Sequence, residues 1–213
     1  MIFDEYLDRI QEALKFELPG HRAHAELAPL GRKSVEEAMA EADNPRMSAV
    51  LAVAYPVGGE TYFCFIQRRD YKGVHSGQIA FPGGKKEEDD PDLVHTAIRE
   101  TEEEVGLELG PENLLGELSP LYIPPSNFYV QPYLAHVTER PDFVPDPMEV
   151  QDILEISLRD LLDEDNLVDA DVEVGGTSFR IRTKAFQIEE HIIWGATAMM
   201  VAELRYMLRA VSL

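Results

Sequence analysis

Cysteine is nearly absent: Cys64 is the single one in 213 residues, so no disulfide can form within the chain. It sits in the apolar run TYFCFI, which reads as a buried strand, and a catalytic thiol is a poor reading beside that. Tryptophan is equally scarce, with Trp194 alone, and core packing is its expected role because large aromatics dominate core burial. No stretch approaches the roughly 20 apolar residues that a membrane helix needs. The first residues, MIFDEYLDRIQEALKFELPG, alternate charged with apolar residues rather than showing a signal peptide. A soluble, cytoplasmic protein is therefore expected. Positive charge is the largest deficit. Lysine and arginine number 19 against 40 aspartates and glutamates, a formal net charge of -21. Nucleic acid and anionic membranes, bound mainly through cations facing phosphates, are disfavoured as partners. An anionic small molecule would need a local cluster of cations, a bound metal ion, or both. The acidity is also consistent with a high-salt habitat, where screening removes self-repulsion, although ordinary acidic proteins share it.

What is present suffices for a sizeable core, with 45% hydrophobic residues, and suits a single globular unit. An N-terminal helix and connecting segment is expected over residues 1–46 and the principal domain over 47–213. Phe3, Leu7, Ile10 and Leu14 recur at helical spacing, predicting an amphipathic helix over 2–16 that stops near Pro19-Gly20. The segment 21–46 reads as irregular apart from a short helix at 35–40. The runs 48–55 and 61–67, separated by Pro56-Val57-Gly58-Gly59, read as strand, turn and strand. A short strand at 78–81 precedes the breaker Pro82-Gly83-Gly84. Asp90 as a capping carboxylate and Pro91 at the first position then open a helix that runs to Val105 and stops at Gly106. Strands follow at 114–123, 128–137 and 153–156, a helical turn at 158–162, a strand pair over 172–188 and a last helix over 196–210. The pattern is a mixed sheet covered by helices.

The helix ending at Gly106 carries the chemistry. Val94, Ile98, Thr101 and Val105 share one face by the helical period and are expected to meet the sheet. Glu100, Glu103 and Glu104 stand at i, i+3 and i+4, so their side chains can converge on one point, whereas Glu102 points elsewhere. Like charges at these spacings cost about 0.2–0.5 kcal/mol per pair, and the helix macrodipole disfavours anions in a last turn. A solvated acidic face is the commoner explanation for such glutamates, but a divalent cation would resolve their repulsion, because hard ions take oxygen ligands and bridge to phosphates. Immediately before, Phe81-Pro82-Gly83-Gly84 brings a stiff proline and positions without side chains, letting backbone approach a metal or a phosphate. Arg68, Arg69, Lys72, Lys85 and Lys86 gather on both sides of this region in sequence, which is where an acidic protein needs its cations. His75 reads either as a phosphate contact or as a structural hydrogen-bond partner.

Here the sequence resembles the Nudix hydrolases, whose signature reads G-x5-E-x7-R-E-U-x-E-E-x-G-U with U usually aliphatic. Arg99-Glu100-Thr101-Glu102-Glu103-Glu104-Val105-Gly106-Leu107 reproduces its second half, with Thr101 at an aliphatic position. In the first half the spacing from Gly84 to Arg99 is one residue longer, and Asp90 stands where the first glutamate is expected. Helix capping accounts for Asp90 equally well. This lengthened form is similar to the coenzyme A pyrophosphatase-like branch, whose upstream signature reads L-L-T-x-R-[SA]-x3-R-x3-G-x3-F-P-G-G. The chain matches it at Arg68, Gly77 and Phe81 to Gly84, and departs at Arg69 and at Gly73, where a second arginine is expected and Lys72 is adjacent.

The resemblance implies an α/β fold (α+β) of the Nudix type, an α/β/α sandwich with a mixed sheet flanked by helices. It implies Mg²⁺ or Mn²⁺ held by Glu100, Glu104 and Glu103, with Glu103 alternatively the general base; a base outside the signature is also open. Arg99 is expected to orient the carboxylates by pairing with one of them. Arg68, Gly83, Gly84, Lys72 and Lys85 are expected to contact substrate. The implied reaction is hydrolysis of a diphosphate linkage, with coenzyme A or an acyl derivative giving 3′,5′-ADP and a phosphopantetheine fragment. ADP-ribose or another nucleoside diphosphate derivative is the alternative, and a module that senses a nucleotide without cleaving it is the competing class. The expected partner is a nucleoside diphosphate-linked small molecule, with a second copy of the chain left open.

Overall fold

In the computed structural model, residues 1–28, 33–69, 75–174 and 180–211 are described. The β-branched and apolar runs recognised in the sequence form the centre of the sheet. β1 (Arg46–Val57) and β2 (Glu60–Arg68) make an antiparallel hairpin that turns at Gly58-Gly59, both with positive φ, as a two-residue hairpin turn requires. β2 also pairs with the short β3 (Ile79–Ala80). β4 (Gly83–Lys85) runs antiparallel to β1, with Ala49 opposite Gly84. The Pro-Gly-Gly segment, expected only to break structure, is thus partly a strand. Beyond it, α4 (Leu93–Val105) follows α1 (Phe3–Ala13), α2 (His21–His24) and α3 (Val35–Glu41) of the N-terminal segment.

The run 114–123 is not continuous. It divides into β5 (Leu114–Glu117) and β6 (Leu121–Ile123), because Ser119 leaves the ladder to give its N–H and hydroxyl to the buried carboxylate of Glu203. β7 (Phe128–His136) lies parallel to β1, Arg46 facing Phe128, and antiparallel to β5 and β6. β8 (Val150–Ser157) is longer than 153–156 and pairs with β2, Arg68 opposite Val150. After the turn α5 (Leu158–Leu162), a separate antiparallel sheet holds β9 (Leu167–Glu173), β10 (Arg180–Ile188) and β11 (His191–Ile193). β9 starts earlier than expected, and β11 and α2 were not anticipated. α6 (Gly195–Ala210) ends the described chain.

The main sheet is mixed, with core strand order β3-β2-β1-β7-β5. Alternation along β1 divides its side chains between two cores. Ala49, Leu51 and Val53 pack with Ala97 of α4, while Ala52 and Ala54 join Phe63 and Phe65 of β2 beneath Tyr6 and Ile10 of α1 and Met199 and Val201 of α6. Helices therefore cover both faces, the α/β/α layering that the sequence implied.

The helix α4 is rotated from its expected face. Its buried residues are Thr96, Ala97, Thr101, Glu104 and Val105, and Val94 and Ile98 are only half-buried. Small Ala97 allows close approach to β1, and Glu104 can turn inward because its carboxylate finds partners there. The capping residue is Asp92, which accepts the His95 N–H at 2.9 Å; Asp90 does not cap the helix. Gly106 closes it with φ 68°, as expected.

Candidate active site

The loop Phe81 to Gly84 is fixed from both ends. Phe81 is buried and stacks on Phe65 with ring centroids 4.4 Å apart, and the Pro82 carbonyl accepts Leu51 N–H at 2.9 Å. Gly83 has φ 150°, and a Cβ there would run into Ala49 O and Val50 Cα. A Cβ on Gly84 would occupy the space of the Glu100 carboxylate. Glycine is required at the first position, where the neighbour is backbone, and at the second it leaves room for the Glu100 carboxylate.

Glu104 is buried and both its oxygens are engaged. Oε2 accepts Gly83 N–H at 2.7 Å, and Oε1 accepts Arg68 Nη1 at 3.1 Å, while Arg68 Nη2 donates to Gly83 O at 2.8 Å. Arg68, Glu104 and Gly83 thus form a closed ring joining β2, α4 and β4. Burial pushes the Glu104 carboxyl up to about 7, against the opposing pull of Arg68 and of the Gly83 N–H. Glu100 is half-buried and also raised, first by burial, then, against Arg99, by the charges of Glu103 and Glu149.

Arg99 organises the other carboxylates. Its Nε and Nη2 donate to Asp90 at 3.0 and 2.9 Å, and Nη1 donates to Glu100 at 3.0 Å and Glu103 at 2.8 Å. Nη2 also reaches the Lys85 carbonyl. Asp90 further accepts the Thr96 hydroxyl and the Glu87 N–H, each at 2.9 Å. The Arg99 hydrogen bonds hold the Asp90 carboxyl well below the usual carboxylate range. Asp90 is therefore the anchor of Arg99, and Arg99 pairs with several carboxylates rather than one.

These groups line a cavity of about 540 Å³. Arg68, Gly83, Gly84, Lys85, Arg99, Glu100 and Glu103 are on its wall; Glu104 stands behind the loop. Lys86 turns away to the Asp90 carbonyl, and Lys72 lies outside the described residues. His75 lines the cavity, its ring Nδ1 3.1 Å from the Gln78 side-chain oxygen. The same cavity is also lined by the apolar Ile123, Phe128, Val130, Ile181, Trp194 and Met200. Trp194, expected in the core, is half-buried in this lining at the start of α6.

Sequence reasoning missed Glu149. The proline-rich segment before β8 docks on the end of α4, Val144 and Asp146 N–H donating to the Val105 and Glu104 carbonyls at 2.9 and 3.0 Å. This satisfies carbonyls that a helix end leaves unpaired and brings Glu149 to the cavity, where its charge raises both Glu100 and Glu104. No spacing in the sequence marks it, since its position follows from the β2–β8 register.

A divalent cation is expected in such a site. As the side chains stand, no three His, Cys, Asp or Glu residues among those described are gathered closely enough to hold one. The donor set nonetheless fits a hard cation, because Glu100 and Glu103 are oxygen donors whose charges, among the described residues, are balanced through the shared Arg99. The Gly84 position keeps open the space that the Glu100 carboxylate fills.

Comparison with known proteins agrees with this geometry. The NUDIX domain profile matches residues 45–174. The uncharacterized Nudix hydrolase NudL of Yersinia enterocolitica is 36% identical over 65% of this chain and 69% of its own length. Its counterpart in Yersinia pestis is 35% identical over 65% and 68%. Among solved structures, a MutT/nudix family protein from Enterococcus faecalis superposes with TM-score 0.56 at 15% identity, over 81% of this chain and 68% of that one, a likeness of fold. With the profile spanning the sheet, the glycine loop and the carboxylate helix, the chain belongs to the Nudix hydrolases, enzymes that act on diphosphate bonds and generally use divalent metal ions.

Proposed function

We propose that this Nudix hydrolase cleaves the diphosphate of coenzyme A or an acyl derivative, releasing 3′,5′-ADP and the phosphopantetheine fragment. The observation that carries this reading is the mixed lining of one cavity, which holds carboxylates and Arg68 together with the apolar Trp194, Ile181 and Met200. Such a cavity suits a diphosphate joined to a nucleoside and to a long, weakly polar arm. The similarity of the Arg68, Gly77 and Phe81 to Gly84 pattern to the coenzyme A branch supports the same choice.

Glu100, Glu103 and Glu104 are the residues we assign to a Mg²⁺ or Mn²⁺ ion, with Arg99 setting the first two in place on the cavity wall and Glu104 joining them by giving up one of its contacts to Arg68 or Gly83. When bound, that ion neutralises the diphosphate oxygens and lowers the pKa of water beside it. Arg68 holds a phosphate oxygen while its other nitrogens fix Gly83 and Glu104. Lys85 adds positive charge at the rim, and the backbone of Gly83 and Gly84 gives the phosphates close access. Glu149 faces the carboxylates from outside the signature and takes the proton of the attacking water, a role for which Glu103 is less suited because Arg99 already engages it. The water oxygen forms a bond to phosphorus as the bridging P–O bond breaks, and the departing phosphate keeps the electron pair.

A substrate panel tests the assignment. Coenzyme A, dephospho-coenzyme A and ADP-ribose are compared under one set of metal and salt conditions, with products identified by mass. Coenzyme A is expected to be cut to 3′,5′-ADP. A clear preference for ADP-ribose, or no cleavage of coenzyme A, discards this substrate and leaves the diphosphate chemistry standing.

A further inference from the structure

In a chain with 19 cationic side chains against 40 acidic ones, an arginine that stacks on a residue of the cavity wall and has no acidic partner among the described residues is unusual. Arg46, at the start of β1, is such a residue. Its guanidinium stands 4.0 Å from the Phe128 ring centroid. One nitrogen donates to the Ser126 carbonyl at 2.5 Å. No ion pair among the described residues includes it. Parallel pairing of β1 with β7 places Arg46 directly opposite Phe128, whose ring lines the cavity. Stacking on an aromatic ring and a backbone acceptor hold the guanidinium without neutralising it, so its remaining donors stay available to an anion.

His75 connects this cation to the rest of the site. It lines the same cavity and is near enough to both Arg68 and Arg46 for their charges, after burial, to lower its imidazole pKa. His75 is thus within electrostatic reach of two guanidiniums, Arg68 paired with Glu104 and Arg46 beside Phe128, and serves as a neutral hydrogen-bonding group rather than a charge.

We infer that Arg46, with His75, is a second anion-recognising element, which binds a phosphomonoester of the substrate remote from the diphosphate that is cut. This rests on the proposed reading of the substrate and deepens it. It also supplies the positive charge that the sequence lacks at Gly73.

Equilibrium binding separates the two ideas, because it needs no cleavage. The probes are 3′,5′-ADP and AMP, which differ by that phosphomonoester, titrated into the full chain at fixed Mg²⁺ by calorimetry. The wild type is expected to bind 3′,5′-ADP about tenfold more tightly, the scale of a charge-assisted hydrogen bond. Arg46→Gln, which keeps a donor for Ser126, should abolish the preference, and Arg46→Lys, which keeps the charge without the stacked fork, should retain part of it. If Arg46→Gln unfolds, the lysine variant decides by whether the preference shrinks. Equal binding of both probes by the wild type, or a preference undiminished by loss of the guanidinium, overturns the inference. Failure to cleave coenzyme A with the Arg46-dependent preference intact would instead overturn the substrate alone.

Discussion

Arg99 holds Asp90, Glu100 and Glu103 at once, and Asp90 is the partner it grips through both Nε and Nη2. Replacing Asp90 by Asn leaves the carboxylate pair without a fixed arginine, and misplacement of this order lowers turnover by about 10²-fold. The change should act on kcat more than KM. Because the folded pKa of Asp90 is depressed, its stabilisation is fully present above the ordinary 3.8 and is lost as pH falls below it. The melting temperatures of wild type and Asp90→Asn should therefore differ at neutral pH and converge in acid. Glu104 has the opposite sign. With its pKa raised from 4.5 to about 7, the folded state favours the protonated carboxyl, so stability is lost as pH rises through that window. In chelator, wild type should lose stability between those pH values relative to Glu104→Gln, and parallel melting curves for the two would refute this.

At the scale of elements, the glycine loop separates backbone contact from carboxylate contact. Alanine at Gly83 meets Ala49 O and Val50 Cα, and alanine at Gly84 meets the flexible end of Glu100. Gly83→Ala should destabilise the fold by about 1–3 kcal/mol through a strained backbone. Gly84→Ala should displace Glu100, nearly keeping the melting temperature while losing most turnover. Equal melting temperatures for the two variants would contradict the packing described. The strands β1, β2 and β7 and the helix α4 were legible in the sequence because apolar periodicity and turn residues mark them locally. Its carboxylates were legible through their spacing. The role of Asp90 was not, because an acidic residue beside Pro91 also has the pattern of a cap, and only the fold shows Asp92 taking the His95 N–H. Glu149 depends on how β8 aligns with β2, and Trp194 on where the β9–β11 sheet lies, neither of which local pattern encodes.

Over the whole molecule, a net charge of -21 repels itself, and cations are concentrated where acids need them. Arg68, Arg99 and Arg205 each pair with a carboxylate, which leaves much of the acidic surface unbalanced. The melting temperature should rise as salt increases from low concentration, because screening weakens that repulsion; a flat or falling series would remove the expectation of a high-salt habitat without touching the chemistry. The N-terminal segment belongs to this integrity too. α2 brings His24 within 2.9 Å of the buried Glu203 on α6, beside Ser119, tying the segment to the layer that borders the cavity. The central claim is that the α4 carboxylates act with a divalent ion on a diphosphate, and the most direct measurement is coenzyme A turnover by wild type, Glu104→Gln and Glu102→Gln, each with Mg²⁺ and with chelator. The account predicts turnover that stops in chelator, falls by about 10³-fold or more in Glu104→Gln, and is nearly unchanged in the exposed Glu102→Gln. Undiminished turnover in chelator, or equal loss from both glutamine variants, would contradict it.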